Sequence, residues 1–261
     1  MPHHLLLVDG LNLLRRCYEA NPTPDSAQKA ESAVNVAWQS FQRALRDHTP
    51  THCVAVFDAG GPTWRHALYA DYKAGRKPMS PYLADELFGF KERLMAEHWA
   101  VMCLPGEEAD DTLWGLAKAA RLEGESVTVL STDKDLVRLA AIGAKVYHHF
   151  DRKWHDDAWC QAKFGVRPEQ LTDFLALMGD SSDGIPGVAG VGAKTAATLL
   201  EQHGNLAMAL RAAQAGGIPG KLGQRLLEQE AEARLSFQLA ELRSSFSSLE
   251  LVWEELVAPK F

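Results

Sequence analysis

The stretch Gly106-Glu107-Glu108-Ala109-Asp110-Asp111 places four carboxylates in five positions at the start of an amphipathic segment. Apolar residues recur at helical spacing and predict a helix that begins here: Ala109, Leu113, Leu116, Ala117 and Ala120. One or two acids at a helix N-terminus need no further explanation, because the helix dipole favours each by roughly 0.3–1 kcal/mol. Four acids repel one another, so the pattern predicts a cation site.

Short apolar runs elsewhere predict four β-strands, at Leu5–Val8, Val54–Phe57, Ala100–Leu104 and Val127–Leu130. Uniformly apolar strands that alternate with helices are typical of a parallel sheet covered on both faces, in which ligands bind beyond the carboxyl ends of the strands. Acids follow all four runs: Asp9, Asp58, Glu108, Asp110, Asp111, Asp133 and Asp135. A single aspartate after a strand is more often a cap or turn former. Four acidic strand ends instead predict a site for a hard cation, Mg²⁺ or Mn²⁺.

A basic segment lies between the second and third runs, with Trp64-Arg65-His66 followed by Asp71-Tyr72-Lys73-Ala74-Gly75-Arg76-Lys77-Pro78. Basic side chains interleaved with tyrosine suit phosphate contact and base stacking. An ordinary solvated loop is the competing interpretation. The segment comes directly after the Asp58 strand, and so lies near the sheet edge that carries these acids, called here the acidic edge. This position favours nucleic-acid contact by Tyr72, Lys73 and Arg76.

From about Trp159 the pattern becomes helical. The sequence therefore predicts an α/β domain over residues 1–158 and a helical domain over residues 159–261. The α/β domain would include a wider basic region at about 60–95, which contains the basic segment. The glycine-rich stretch from Gly179 to Thr195 is not a Walker A loop, because Ala193 stands where lysine is required. It is not a dinucleotide fingerprint either, since no strand precedes it. A tight turn between helices remains, with amides at a helix N-terminus that suit a backbone phosphate. The predicted contacts are Gly190, Val191, Gly192, Ala193, Lys194 and Thr195.

Composition sets few limits on function. The net charge of −7 argues superficially against a polyanionic partner, but neutralising nine clustered acids would change the balance to +2. The four cysteines are far apart and have no metal-finger spacing, which indicates free thiols in a reducing compartment. No signal-peptide or membrane-spanning pattern is visible, so we expect a cytoplasmic, monomeric protein. The pair His148-His149 is interpreted as structural or solvated, and the last fifteen or so residues are expected to pack back onto the body.

Taken together, the motifs resemble the 5′-nuclease family, which includes flap endonucleases, phage 5′-exonucleases and the 5′-nuclease domain of bacterial DNA polymerase I. The matching motifs are V-D-G-L-N, D-Y-K-A-G-R, G-E-E-A-D-D, S-T-D-K-D and G-D-S-S-D-G-I-P-G-V-A-G-V-G-A-K-T. They are most similar to those of the small stand-alone bacterial enzymes of the exonuclease IX group. The resemblance implies a PIN-like, mostly parallel sheet flanked by helices, followed by a helical domain with a helix–three-turn–helix element.

The resemblance also implies roles for individual residues. A first metal site would use Asp9, Asp58, Glu108, Asp110 and Asp111, and a second would use Asp133, Asp135, Asp180 and Asp183. Some members of the exonuclease IX group lack the last two acids, so their presence keeps a two-cation site open. Main-chain carbonyls at Leu177, Met178, Pro186, Val188 and Val191 would hold K⁺. Tyr72, Lys73 and Arg76 would lie in the helical arch through which a 5′ single strand passes.

The implied reaction is hydrolysis of DNA phosphodiesters at single-strand/duplex junctions, with one or two Mg²⁺ ions per chain, or Mn²⁺, as cofactors. Two cations about 3.5–4 Å apart would activate water and stabilise the leaving oxygen. Lys73 and Arg76 would neutralise the transferring phosphate, and loss of Asp110 is expected to abolish cleavage. Three alternatives are a PIN-type ribonuclease, a non-catalytic structure-specific DNA-binding protein and a haloacid-dehalogenase-type phosphatase. The last would need an aspartate where Leu11 stands.

Overall fold

The computed structural model describes residues 2–245 and 251–259, and the chain divides into two compact units. The first unit consists of Met1–Gly61, Lys77–Trp154 and Arg243–Phe261, and the second of Pro62–Arg76 and His155–Leu242. The predicted division at residue 158 follows the order of the chain, whereas both units are discontinuous. The difference arises because residues 62–76 pack with the helical part and the chain after Leu242 returns to the sheet.

Six strands form one sheet: β1 (His4–Asp9), β2 (His52–Val56), β3 (Ala100–Met102), β4 (Ser126–Leu130), β5 (Lys145–His148) and β6 (Lys153–His155). The helices are α1 (Gly10–Ala20), α2 (Ala27–His48), α3 (Trp64–Leu68), α4 (Pro81–Ala96), α5 (Ala109–Leu122), α6 (Asp157–Phe164), α7 (Leu171–Met178), α8 (Ala193–His203), α9 (Leu206–Gln214), α10 (Gly220–Glu228) and α11 (Glu230–Ala240). In the described part of the chain, 3₁₀ segments lie at Lys134–Ile142, Pro168–Gln170 and Trp253–Glu255.

The strand order is β3-β2-β1-β4-β5-β6, and the pairs β2–β3, β1–β2, β1–β4 and β4–β5 are parallel. This confirms the predicted mostly parallel sheet and each of the four predicted strands. The sequence patterns did not predict β5 and β6. Because β1 and β4 are neighbours, the segments that follow Asp9 and Leu130 leave the sheet at the same edge.

The centre of the sheet is buried because helices cover both faces, so Leu5, Leu6, Leu7 and Val8 have no exposed surface. Close packing at the end of β1 depends on a glycine. A Cβ at Gly10 would lie 2.4 Å from the ring of Phe57, so only glycine allows α1 to begin there. The helix consequently starts directly after the acid that ends β1.

Helices α6 to α11 make up most of the second unit. The backbone N–H of Gly187 donates to the buried Ser236 hydroxyl at 2.9 Å, which ties the turn after α7 to α11. The buried Gln170 amide donates to the carbonyls of Leu200 and Gly204 at the end of α8. Helices α10 and α11 follow each other with a break at Gln229.

The C-terminal residues that are described pack against β2 in the first unit. The Leu256 carbonyl accepts the Cys53 N–H at 2.8 Å, and the N–H of Ala258 donates to Thr51 at 2.9 Å. The expected return of the tail therefore holds for residues 251–259, whereas residues 246–250 and 260–261 lie outside the described part. Among the helices of the described residues, none is long and apolar enough to cross a membrane.

Candidate functional site

Asp9 ends β1 and is almost completely buried, with 5 % of its surface exposed. One carboxylate oxygen accepts the Asn12 N–H at 3.2 Å and so caps α1, and the other accepts the Ser131 hydroxyl at 2.9 Å. Burial, and then the nearby charge of Asp58, raise the pKa of Asp9 to about 7, with a smaller contribution from Asp133. The sheet thus brings three of the predicted metal ligands within electrostatic range of one another.

Asp58 and Asp111 both accept backbone N–H groups around the start of α5. An oxygen of Asp58 accepts the Ala109 N–H at 2.9 Å, which places the end of β2 beside the acidic stretch. Asp111 is fully buried, and its two oxygens accept the N–H groups of Glu108 at 3.2 Å and Arg243 at 3.0 Å. Asp111 is therefore a capping residue of α5 in this structure, in addition to being a predicted ligand.

The segment after β4 is held by a polar network around Asn12. The Asn12 amide oxygen accepts both the backbone N–H and the hydroxyl of Thr132, at 3.0 and 2.7 Å, and Arg16 donates to the same hydroxyl at 2.9 Å. Asp133 caps the following 3₁₀ segment by accepting the Asp135 N–H at 2.8 Å. The network fixes the backbone from which Asp133 and Asp135 project.

The acidic edge offers the oxygen donors that hard cations prefer, without a soft ligand beside them. In residues 2–245 and 251–259, no three His, Cys, Asp or Glu side chains already form a group that could hold a metal ion. Burial, and then repulsion from the Asp58 carboxylate, raise the pKa of Asp9, and a divalent cation would relieve that repulsion. The donor chemistry fits a cation, although binding requires the carboxylates to move closer together.

The remaining two predicted ligands, Asp180 and Asp183, lie in the second unit, in the turn after α7. Asp180 accepts the backbone N–H and the hydroxyl of Ser182 at 2.8 and 2.7 Å, which closes a local turn. Asp183 is paired with the two basic residues of the motif D-Y-K-A-G-R. Its oxygens lie 2.5 Å from Arg76 Nη2 and 3.7 Å from Lys73 Nζ.

Tyr72 was predicted to stack on a base, yet its side chain is only 3 % exposed. The ring contacts His66 in a T-shaped arrangement at 5.4 Å, and Lys73 Nζ lies 5.0 Å from the ring centre. A base could stack on this ring only after the surrounding side chains had moved. The sequence could not show this, because aromatic residues among basic ones are equally typical of a surface segment and of a buried anchor.

The five carbonyls predicted to hold K⁺ lie at the end of α7, for Leu177 and Met178, and in the turn between α7 and α8, for Pro186, Val188 and Val191. The Leu177 carbonyl accepts the Val188 N–H, and the Val188 carbonyl accepts the Val191 N–H, both at 2.9 Å. Gly192 caps α8, and Ala193 and Lys194 are exposed in its first turn. The first N–H groups of a helix have no partner within the helix, so this N-terminus suits an anion.

Several residues of the acidic edge were not predicted as functional. Ser131 and Asn12 bond Asp9, and their only signal was their place in the motifs S-T-D-K-D and V-D-G-L-N. Ser244 and Ser245 donate to the Glu107 carboxylate at 3.0 and 2.7 Å. No local pattern could have indicated the last two, because they lie more than 130 residues from their partner in sequence.

Comparison with protein families gives two adjoining matches along the chain. Residues 4–165 match the 5′-3′ exonuclease N-terminal resolvase-like domain, and residues 166–260 match the 5′-3′ exonuclease C-terminal SAM fold. Together the matches cover both the acidic edge and the turn before α8.

Relatives and solved structures agree with these matches. The flap endonuclease Xni of Pectobacterium carotovorum is 39 % identical over 249 residues, which is 95 % of this chain and 92 % of the relative. That of Yersinia enterocolitica is 37 % identical over 246 residues and 94 % of both chains. The bacteriophage T5 D15 protein, crystallised with metal ions, has the same fold, with a TM-score of 0.74 at 24 % identity over 92 % of this chain and 89 % of its own.

Proposed function

Since the chain belongs to the 5′-3′ exonuclease family and is a structure-specific 5′ nuclease, we propose that it hydrolyses DNA at the junction of a 5′ flap, or a single-stranded 5′ end, with duplex. The observation that supports this most directly is the crowding of carboxylates around Asp9. An acid whose pKa is raised by burial, and then by the charges of Asp58 and Asp133, is suited to a divalent cation at neutral pH.

The acidic edge would hold Mg²⁺, or Mn²⁺ as the alternative. Its ligands would come from Asp9, Asp58, Glu108, Asp110, Asp111, Asp133 and Asp135, of which Asp111 also caps α5. When bound, the cation supplies an activated water and stabilises the leaving oxygen. Asp9 is already oriented for this role, because the Ser131 hydroxyl and the backbone N–H of Asn12 each donate to one of its two oxygens. Asp110, in the first turn of α5, is the acid whose loss should be felt most in cleavage.

Residues of the helical unit would bind the DNA. Lys73 and Arg76 carry the positive charge for the phosphate at the cut, and the amides from Gly190 to Thr195, with Lys194, contact a backbone phosphate of the duplex. Contacts of this kind read the shape of DNA rather than its base sequence. A K⁺ ion held by carbonyls of the turn between α7 and α8 would further favour phosphate binding there.

The test compares a 5′-flap duplex, a blunt duplex and a matched RNA hairpin, each incubated with Mg²⁺ and with EDTA. We expect cleavage only with Mg²⁺ and mainly at the flap junction. Asp110→Ala should abolish cleavage but retain flap binding, whereas Glu31→Gln, which changes an exposed acid on α2, should alter neither.

Three results would contradict the proposal. Tight flap binding without cutting in Mg²⁺ or Mn²⁺ would identify a binding protein. Preferred cleavage of the RNA hairpin would identify a PIN-type ribonuclease. Equal loss of binding and cleavage in Asp110→Ala would contradict the assignment of cleavage to the acidic edge and of DNA binding to the helical unit.

A further inference from the structure

A cavity of about 580 Å³ lies at the edge of the sheet opposite the acidic edge. It is lined by His4, Ser126 and Lys145, the first residues of β1, β4 and β5, and by Asp47 and His48 at the end of α2. All of its lining residues belong to the first unit. Binding sites for small molecules typically measure roughly 300–1,000 Å³, so the cavity is large enough for a nucleotide.

Two cationic side chains line the cavity near Gly143. Arg121 is held in place, because its Nε and Nη1 donate to the carbonyls of Ile142 at 3.3 Å and Glu125 at 2.7 Å. Its Nη2 lies against Gly143, where an added Cβ would be 3.0 Å away. Lys145, two residues further along the chain, is exposed and forms no ion pair within the described part of the protein. An ordered guanidinium and a neighbouring lysine are suited to a phosphate group.

Aromatic rings form another wall of the cavity. Trp154 is 44 % exposed, and its ring centre lies 4.8 Å from that of Tyr147 and 5.8 Å from that of His48. The rings of His48 and Tyr147 are themselves in T-shaped contact at 4.8 Å. These neighbours hold the indole in place while part of it remains accessible. Such a ring is a surface on which a nucleobase can stack.

A carboxylate lies next to the aromatic wall, because Asp47 precedes His48 in α2. Its Oδ2 is 3.9 Å from Nη2 of Arg152, an exposed pair that contributes little in water. The carboxylate can therefore accept a hydrogen bond from a ligand N–H group. His4, by contrast, is already paired, since its Nε2 lies 2.9 Å from the Thr128 hydroxyl. Burial, and then the Lys145 charge, lower the pKa of His4, so this ring is neutral at pH 7.

We propose that this cavity binds a nucleoside phosphate, with its base against Trp154, a base amino group on Asp47 and its phosphate on Lys145 and Arg121. The site lies at the opposite edge of the sheet from the acids, so the inference goes beyond the proposed nuclease function and does not depend on it. A free nucleotide and the phosphorylated 5′ end of a DNA strand share this chemistry, and the last experiment distinguishes them.

The first test is calorimetric titration of the full chain with dAMP in EDTA, which prevents binding through a cation at the acidic edge. We expect binding that is about tenfold weaker for 2′-deoxyadenosine, which lacks the phosphate, and for inorganic phosphate, which lacks the base. The nucleotide dTMP, which has no amino group, should also bind about tenfold more weakly than dAMP. Absence of dAMP binding, or equal affinity for dAMP and inorganic phosphate, would overturn the proposal.

Variants of two lining residues place the nucleotide in the cavity. Lys145→Gln and Trp154→Ala should each weaken dAMP binding by about tenfold. The matched controls are Lys153→Gln and Phe150→Ala, which change an exposed lysine and a 40 % exposed aromatic residue that do not line the cavity. Unchanged affinity in Lys145→Gln would contradict the proposal. This variant remains decisive if Trp154→Ala does not fold, because Lys145 is exposed.

Asp47→Ala tests the contact with the base. It should weaken binding of dAMP by about tenfold and leave binding of dTMP unchanged, so the preference for dAMP should disappear. An equal effect on both nucleotides would refute the proposed contact with the amino group.

The last experiment identifies the source of the phosphate by competition against dAMP in EDTA. A short 5′-phosphorylated strand that displaces dAMP would assign the cavity to strand ends, and one that does not would assign it to free nucleotides. Equal displacement by the phosphorylated and the unphosphorylated strand would contradict the proposal, because the phosphate would then contribute nothing. None of these measurements requires catalysis, so their outcome is independent of the nuclease function.

Discussion

The backbone N–H of Arg243 donates to Oδ1 of Asp111 at 3.0 Å, joining residues that are 132 positions apart in the chain. The other oxygen of Asp111 accepts the N–H of Glu108, so this fully buried acid satisfies two backbone donors at the start of α5. The residues after Arg243 continue the connection by donating to Glu107. The acidic stretch is therefore held in place by a segment from the far end of the chain.

Asp111→Ala should destabilise the first unit even without any cation. Removing the carboxylate leaves two backbone N–H groups without their acceptors, which should lower the free energy of unfolding by roughly 2–3 kcal/mol. Urea unfolding in EDTA measures this, with Asp85→Ala, at an exposed acid on α4 in the same unit, as the control that should cost less. An Asp111→Ala protein that is fully stable in EDTA but binds less Mn²⁺ would show that ligation outweighs capping.

His149 should make the protein less stable in mild acid. Arg43 donates to its Nε2 at 2.8 Å from Nη2 and 3.2 Å from Nε, which requires the neutral ring, and burial followed by the Arg43 charge lowers the pKa of His149 to about 4. At this histidine the unfolded chain then binds more protons between pH 4 and 6.5, so the contribution of His149 to stability rises with pH across that range, by up to roughly 3 kcal/mol. This contribution should be level above pH 6.5.

His149→Gln tests this dependence on pH, because a glutamine oxygen can still accept from Arg43 but does not titrate. The slope of unfolding free energy between pH 4 and 6.5 should fall in this variant, whereas His98→Gln, at an exposed position, should keep the slope of the unchanged protein. Identical slopes in the unchanged protein and in His149→Gln would rule out this histidine as the cause.

The central strands and the acidic edge could be predicted because their signals are local. Leu5 to Val8 read as a buried strand, and the parallel order then places Asp9 at a shared edge with the segment after β4. The sequence did not predict strand β5, because Lys145 and His148 are polar and only Val146 of its four residues is buried. Apolar periodicity identifies only strands that are buried along their length.

The contacts made by the candidate site residues could not be predicted, because they join segments that are distant in sequence. Nothing near Asp183 indicates that Arg76 lies 2.5 Å from it, and nothing near Asp111 points to Arg243. Acids that bind cations, acids that cap helices and acids that pair with arginine look the same in a motif. These acids differ only in the groups that they contact, and those contacts depend on the three-dimensional fold.

Asp9→Asn should separate the cost of the buried charge from the benefit of a cation. Because the pKa of Asp9 is raised to about 7, its contribution to stability is present at low pH and is lost as pH rises through 7. In EDTA at pH 8, Asp9→Asn should therefore be more stable than the unchanged protein by roughly 2–4 kcal/mol. Mg²⁺ should reverse the order, because it stabilises only the form that binds it.

Thermal unfolding at pH 8, with EDTA and then with increasing Mg²⁺, measures both effects in one series. Glu31→Gln should follow the unchanged protein in both conditions, since this acid is exposed on α2. An Asp9→Asn protein that is less stable in EDTA would mean that the Ser131 and Asn12 hydrogen bonds outweigh the buried charge. Equal stabilisation of both proteins by Mg²⁺ would exclude Asp9 as a ligand.

Lys194→Ala should weaken DNA binding in a way that depends on salt rather than sequence. Lys194 is exposed in the first turn of α8, beside the Gly192 cap, where helix amides and a lysine charge would act on the same bound phosphate. If it neutralises one phosphate, its loss should reduce the slope of log affinity against log salt by about 1. Flap binding at four salt concentrations, with two unrelated sequences, measures the slope. Lys221→Ala, at an exposed lysine on α10, should keep the original slope, and an unchanged slope in Lys194→Ala would refute the phosphate contact.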